Sequence, residues 1–273
     1  MLAYSFKKEL ESFLAEDIGT GDITSELLSK KRISAKIVSR EKAVVAGAKY
    51  AKEIFNLKGC NVQILKKDGQ KVNKNQTIMR IFGDARKILA CERTALNLLT
   101  RMSGIATQTN DLIAKIPDKK TKLYATRKTA PGLRFFDKEA VMIGGGEKHR
   151  LTLDEMVMIK DNHIAVSNSL LELIKKTKKQ YKKFEVEVEN NTDAILAASE
   201  GATIIMLDNF SPQQIKKTIQ NLKEKKLRSK VKIEASGGIT SKNISQYAKT
   251  GVDIISVGSI TNSVKGIDMS LEI

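Results

Sequence analysis

The chain has 273 residues, 41% of them hydrophobic, with a formal net charge of +17 and only two cysteines. That length holds one large domain or two ordinary ones, and the apolar content is enough for a real core, which excludes a disordered chain. No apolar run approaches the roughly 20 residues that span a bilayer, and Cys60 and Cys91 are too few and too isolated for a disulfide framework or a zinc site.

From the N-terminus, MLAYSFKKELESFLAEDIG has amphipathic helical spacing and lacks the apolar block and cleavage site of a signal peptide, so a soluble cytoplasmic protein is expected. Within it, Phe6 to Ala15 reads as a short helix, followed by the turn-rich EDIGTGDIT. Ser34 to Ser39 and Lys42 to Ala46 read as strands, Gly47 to Leu57 as a helix, and Val62 to Leu65 and Thr77 to Phe82 as strands with a KDGQ turn near Gly69. Ala85 to Met102 is a long helical segment with Ile88, Leu89, Leu96 and Leu99 on its apolar face, interrupted or ended by Gly104.

After about residue 120 the pattern becomes a regular alternation. Strand-length apolar runs occur at 122–125, 156–159, 184–188, 203–207, 231–235 and 253–257. Helical segments lie between most of them, at 165–176, 193–200, 212–225 and 242–249. Such βα units indicate a parallel sheet, either open and doubly wound or closed as a barrel that is short of eight strands. The tail Ile267 to Ile273 alternates like one more strand and can return to the first domain.

Catalytic groups of parallel α/β folds gather at the carboxyl ends of the strands. Here those ends carry Thr126-Arg127-Lys128, Lys160-Asp161-Asn162-His163, Glu187 and Glu189, Asp208-Asn209, Ser236-Gly237-Gly238 and Gly258-Ser259. The window from Thr126 to His163 also concentrates rare cations beside Gly144, Gly145 and Gly146. It holds both histidines and three of the ten arginines, Arg127, Arg134 and Arg150. Arginine grips a carboxylate or phosphate in two places, so this window suits an anion of defined shape.

Each feature has a plainer reading beside the functional one. ASGGIT and VGSIT can cradle a phosphate through their N–H groups or can be ordinary tight turns. Glu187 and Asp208 can hold ribose hydroxyls or Mg²⁺, or can pair with lysines. Glu185, Glu187 and Glu189 share one strand face, and an inward orientation requires cationic partners, with Lys160 or Lys128 the obvious ones. His149 is a pocket cation or a core histidine, and metal binding by the histidines is not expected. Nucleic acid is the other class of ligand for so basic a chain. The lysine runs, an aromatic content of 5% and the absence of Trp argue instead for solvated faces, whose field helps draw in anionic substrates.

The ordered motifs EDIGTGDIT, ERTALNLLTRMSGIAT, TRKTAPGLR, GGGEKHR, MIKDNHI, EVEVEN, IIMLDNF and EASGGIT run nearly end to end. Together they resemble the carboxylating nicotinate-nucleotide pyrophosphorylases, the quinolinate phosphoribosyltransferase family. The resemblance implies an α/β fold with an N-terminal α/β sandwich domain (1–105, joined by 265–273) and an incomplete parallel α/β barrel (106–264). It implies a pentosyl transferase of NAD biosynthesis that converts quinolinate and phosphoribosyl pyrophosphate to nicotinate mononucleotide, pyrophosphate and CO₂ with Mg²⁺. On this resemblance Arg127, His149, Arg150 and Lys160 hold quinolinate, with Arg93 supplied by the partner subunit of a homodimer or hexamer. Lys128, Glu187 and Asp208 are the catalytic and phosphoribosyl-binding set, Glu187 and Asp208 also serving the metal. Ser236, Gly237, Gly238 and Gly258 cradle the 5-phosphate.

Ala130 and Lys148 depart from the family's common residues, and Lys148 adds a charge near the pocket. The related molybdenum-transport-associated group shares the RK-x-x-PG and HR motifs but lacks the KDNH continuation intact here at Lys160 to His163. A nicotinate-using enzyme would need no pocket for two carboxylates. His163 is expected to make a structural hydrogen bond.

Overall fold

The computed structural model describes residues 6–273; the first five residues of the expected amphipathic N-terminal segment lie outside them. The chain opens with α1 (Phe6–Ile18), β1 (Arg32–Ser39), β2 (Ala43–Val44), α2 (Ala48–Leu57), β3 (Asn61–Ile64), β4 (Lys71–Val72), β5 (Thr77–Asp84) and α3 (Ala85–Ile113). It continues with β6 (Lys122–Tyr124), α4 (Arg134–Ile143), β7 (Val157–Ile159), α5 (Asp161–Ser167), α6 (Leu170–Gln180), β8 (Phe184–Val188), α7 (Asn191–Glu200), β9 (Ile204–Asp208) and α8 (Pro212–Glu224). The last elements are β10 (Lys232–Ser236), α9 (Ile244–Ala248), β11 (Ile254–Ser256), α10 (Ser259–Asn262) and β12 (Met269–Glu272). Two compact units divide these elements. One comprises the chain up to Asn110 with Glu139–Gly145 and Val264–Ile273, the other Asp111–Lys138 with Gly146–Ser263. No helix among the described residues is long and apolar enough to cross a membrane.

The first unit is built on an antiparallel sheet in the order β12-β1-β5-β3, with β2 and β4 forming a separate pair. Period-two alternation buries Ala35 and Ile37 of β1 while Arg32, Ser34 and Lys36 turn outward or stay half-covered. The expected C-terminal strand is present as β12, paired antiparallel with β1 and tied at its end by Lys36 and Arg40 to Glu272. Helix α2 buries Tyr50, Ala51, Ile54 and Phe55, residues spaced to share one face.

Helix α3 differs from expectation, because it runs 29 residues through Gly104 rather than stopping there. The glycine serves a close approach. A Cβ at position 104 would lie 2.2 Å from the Lys265 carbonyl oxygen in the segment leading to β12. Gly144 has the same role, since its Cβ would lie 2.5 Å from the Ala106 carbonyl oxygen of α3. The first of the three successive glycines is therefore a packing device.

The second unit is a six-stranded parallel sheet in the order β6-β11-β10-β9-β8-β7, the open sheet of an incomplete α/β barrel. Strands β7, β9 and β11 are apolar runs, as a sheet covered on both faces requires, whereas β8 alternates around Glu185 and Glu187 and β10 carries Glu234. The covering helices are signed in the sequence. Ser211 and Gln214 form a reciprocal capping box around Pro212 at the start of α8, which buries Ile215, Thr218, Ile219 and Leu222. Asn190 caps α7, and Gly201 ends it in the left-handed conformation.

Three local expectations need correction here. The single helix read over 165–176 is two, α5 and α6, parted by left-handed Asn168 and the Ser169 cap. Helix α4 has no counterpart among the elements expected from the sequence. The helix read over 242–249 is the five-residue α9, so no helix begins directly at the Ser236-Gly237-Gly238 turn.

Gly104→Ala is expected to lower the stability of the folded chain by about 1–3 kcal/mol through overpacking, although alanine is the better helix former by about 1 kcal/mol. Denaturant unfolding of both proteins measures the change, and an unchanged or raised midpoint would contradict the close approach to Lys265.

Candidate active site

The carboxyl ends of the parallel strands surround a cavity of about 380 Å³ in the second unit. Its lining includes Thr126, Arg127 and Lys128 after β6, Met158 and Lys160 at β7, Glu187 on β8, and Met206 and Asp208 on β9. Glu234 and Ser236 on β10, Ser256 on β11, and His149 and Arg150 complete it. Of the residues singled out in the sequence, Arg127, Lys128, His149, Arg150, Lys160, Glu187, Asp208 and Ser236 are thus brought together. Arg93 lies on α3 of the first unit, whereas every residue lining this cavity belongs to the second.

The two rim loops are shaped by their neighbours. The Lys128 N–H donates to Thr126 Oγ1 at 3.1 Å, and the Lys128 carbonyl accepts from Thr261 Oγ1 at 2.7 Å, which fixes the peptide carrying the cation. The Lys128 stem passes over Gly258, where a Cβ would stand 3.2 Å from Lys128 Cδ. Gly237 and Gly238 follow Ser236 with φ of 88° and 61°. A side chain at Gly237 would strike Asn209 Oδ1 at 2.2 Å, while Gly238 faces open space, where backbone can approach an anion. Asn209 donates to Asp208 Oδ2 at 2.7 Å, orienting that carboxylate.

Charges are paired within the cavity. Lys160 Nζ makes a short ion pair with Glu187 Oε2, and the pair is partly shielded. His163 accepts the Lys160 N–H at Nδ1 (3.0 Å), so it supports the lysine backbone as the structural reading expects. Arg134 donates to Thr129 Oγ1 and to the Leu151 carbonyl, bracing the loops on either side of α4. Of the three glutamates on the β8 face, Glu185 is fully buried, Glu187 half-buried and Glu189 exposed beyond the strand end.

His149 and Arg150 reach the site by a route hidden in the sequence. Glu147 forms an isolated parallel bridge with Tyr124 of β6, a one-residue strand that delivers the following His149-Arg150 pair to the rim. His149 takes the left-handed conformation (φ 53°). Its Nδ1 accepts the Arg150 N–H at 2.7 Å, and its Nε2 lies 3.2 Å from Glu185 Oε2 and 3.7 Å from Glu234 Oε2. Burial pulls the imidazole down, but Glu185 and Glu234 outweigh it and lift the group to about 9. The Arg150 N–H occupies Nδ1, so the ring presents Nε2 to the two carboxyl groups.

Arg150 donates to the Met156 carbonyl at 3.0 Å and contacts Met158 Sδ. Its carbonyl accepts from the fully buried Lys138, whose ammonium is lowered to about 8 by burial and by the Arg134 charge. Burial and the Arg127 charge likewise hold the Arg150 guanidinium below its usual range. The sequence reading did not single out Met158, Met206, Glu234, Ser256 or Lys138 for this site. Met158, Met206 and Glu234 stand two positions before Lys160, Asp208 and Ser236, and Ser256 ends β11, so strand alternation was the available signal.

Guanidinium, ammonium and carboxylate groups in one cleft, with two thioethers for a flat ring, can bind a multiply anionic, partly aromatic substrate. Glu187 and Asp208 offer the hard oxygen donors that suit Mg²⁺, directly or through water. The C-terminal domain model of quinolinate phosphoribosyl transferase matches residues 105–272, and the N-terminal domain model matches residues 22–103. A probable nicotinate-nucleotide pyrophosphorylase (carboxylating) of Methanothermobacter thermautotrophicus is 44% identical over 97% of both chains. The solved nicotinate-nucleotide pyrophosphorylase of Francisella tularensis superposes with a TM-score of 0.90 at 40% identity, over 97% of this chain and 95% of that one. The Ehrlichia chaffeensis enzyme of the same name gives 0.94 at 36% identity over 99% of both. By sequence over nearly its whole length and by fold, the chain belongs to the quinolinate phosphoribosyl transferase family.

Proposed function

We propose that the chain transfers the phosphoribosyl group of phosphoribosyl pyrophosphate to quinolinate and releases CO₂, forming nicotinate mononucleotide for NAD synthesis. The observation that carries this reading is the gathering of Arg127, Lys128, Arg150 and Lys160 in one cavity with Glu187 and Asp208. Arg127, His149, Arg150 and Lys160 form the dicarboxylate side. Lys128 meets the phosphoribosyl donor, Glu187 and Asp208 its ribose and pyrophosphate end, and Ser236, Gly237, Gly238 and Gly258 its 5-phosphate. Arg93 of the partner subunit completes the quinolinate pocket in a homodimer or a trimer of dimers. The outward exposure of Ile23, Leu27 and Leu28 on the first unit supports such an assembly. A cytoplasmic location is in keeping with two free, buried cysteines.

Two cationic clamps hold the pyridine nitrogen of quinolinate against C1 of the ribose, so the reaction becomes effectively unimolecular. The nitrogen forms its bond to C1 as the C1–O bond to pyrophosphate breaks. Glu187 and Asp208 stabilise the positive charge that develops on the ribosyl ring. Mg²⁺ held by Glu187 and Asp208 would supply neutralisation of the pyrophosphate leaving group. In the resulting pyridinium the electrons of the C2–carboxylate bond stay at C2 as CO₂ departs, stabilised by the adjacent cationic nitrogen, and C2 then takes up a proton from water. The cationic pocket selects the dicarboxylate; the pyridinium nitrogen stabilises the carbanion.

With Mg²⁺ and phosphoribosyl pyrophosphate, the protein is expected to form nicotinate mononucleotide from quinolinate with one CO₂ per product, and to use nicotinate poorly. Chelation of Mg²⁺ should abolish turnover and its return restore it. Chromatography with ¹⁴CO₂ capture reads both, and absence of product from quinolinate would refute the assignment. Arg127→Ala and Lys160→Ala should each reduce kcat/KM by about a hundredfold or more, the loss of a charge-assisted contact worth about 3 kcal/mol, with unchanged circular dichroism. An active variant would remove that residue from the site. Arg93→Ala and Arg150→Ala subunits, each inactive alone, should regain activity when mixed, because one of the two pockets in a mixed dimer is intact. Confirmed mixed dimers without activity would refute the shared pocket.

A further inference from the structure

The reaction described above asks for cations around quinolinate, yet two fully buried carboxylates lie directly beneath them. Glu185 on β8 and Glu234 on β10 are both 0% exposed. Glu234 Oε1 accepts from Ser256 Oγ, while both Glu185 oxygens and Glu234 Oε2 lack any hydrogen bond of good geometry. Buried carboxylates without partners are costly, and their nearest polar neighbour is His149 Nε2, at 3.2 and 3.7 Å. The imidazole is held on every side that the structure describes: by the two glutamates, by the edge-to-face Tyr124 ring at 5.9 Å, and by the Arg150 N–H. With Nδ1 taken by that N–H and Nε2 turned to the carboxylates, the ring has no nitrogen left for a substrate. The residue that follows is Arg150, whose carbonyl is fixed by Lys138 and whose guanidinium is fixed by Met156.

Resting on the phosphoribosyltransfer reading, we infer that Glu185 and Glu234 are positioning residues for quinolinate: they clamp the His149 ring from below, and the ring holds the Arg150 peptide so that its guanidinium meets the substrate carboxylates. His149 on this account acts through Arg150. Glu185, together with Glu187, also opposes the lowering that burial and the Arg127 charge impose on the Arg150 guanidinium. A neutral isostere of either glutamate keeps the shape of the core but loosens the ring.

The test uses the full chain with Mg²⁺ and separate saturation series for each substrate. Glu234→Gln is expected to raise KM for quinolinate about tenfold, equivalent to about 1.4 kcal/mol, with kcat and KM for phosphoribosyl pyrophosphate within about twofold. Ser256→Ala, which frees Glu234 Oε1, should raise the quinolinate KM about threefold, and it decides the matter if Glu234→Gln does not fold. Thr218→Val removes another buried, unpartnered hydroxyl, on α8, and should change neither KM. The inference is overturned by a quinolinate KM within about twofold of wild type in both site variants. It is also overturned by equal rises in both KM values with a lowered Tm, which would mark a merely structural role. The donor atoms of His149, Glu185 and Glu234 lie within 4.8 Å of one another. Stoichiometric metal in the purified wild type that is lost in Glu234→Gln would likewise replace the clamp by a metal site. If the wild type turns over no quinolinate, the functional reading fails separately. Calorimetric titration with phthalate, a dicarboxylate of the same shape, then tests the clamp, and equal affinity in wild type and Glu234→Gln overturns it.

Discussion

Arg127, Lys128, Arg150 and Lys160 share one cavity, and like charges so close repel one another unless acids are interleaved among them. The fold meets this constraint in two layers. At the rim, Glu187 pairs with Lys160, and Asp208 is oriented by Asn209. Beneath it, Glu185 and Glu234 sit inside the sheet under His149. A site for anions thus rests on buried carboxyl groups, that of Glu185 raised to about 7 by burial and by the neighbouring Glu234, and substrate charge enters a pocket whose cations are already held in place.

A parallel sheet makes that interleaving simple. Neighbouring strands place residues of equal register side by side, so Asp208 of β9 stands beside Ser236 of β10, and Glu187 of β8 beside Met206 of β9. Alternation along a strand then separates roles by depth: Glu185 is sealed in the core and Glu187, two residues on, reaches the cavity. The same strand serves the core and the cavity.

Close backbone approaches are the second economy of the fold. Gly104 admits the return segment that becomes β12, Gly144 seats the end of α4 against α3, and Gly237 lets its turn pack on Asn209. Only the last belongs to the site. Glycines beside a cluster of cations suggest an anion cradle, yet Gly144 answers to helix packing, and spacing in the chain does not distinguish these uses.

The parallel strands were legible because β7, β9 and β11 are apolar runs, β8 alternates around its glutamates, and the polar residues that follow the strands fall at one rim. In the structure Ser211-Pro212 and Asn190 cap the starts of α8 and α7. By itself, then, the sequence determined the α/β class, the return of the C-terminal strand, the family and most of the cavity's charged residues, since these follow from local periodicity and from motifs with fixed spacing. It did not reveal the bridge at Glu147, which is one residue long and has no period. Nor did it reveal the passage of α3 through Gly104, set by a carbonyl more than 150 residues away. The partners of His149 were also decided only by tertiary structure. Glu185 and Glu234 lie on different strands, and a histidine facing substrate differs from one clamped by buried acids only in where its two nitrogens point.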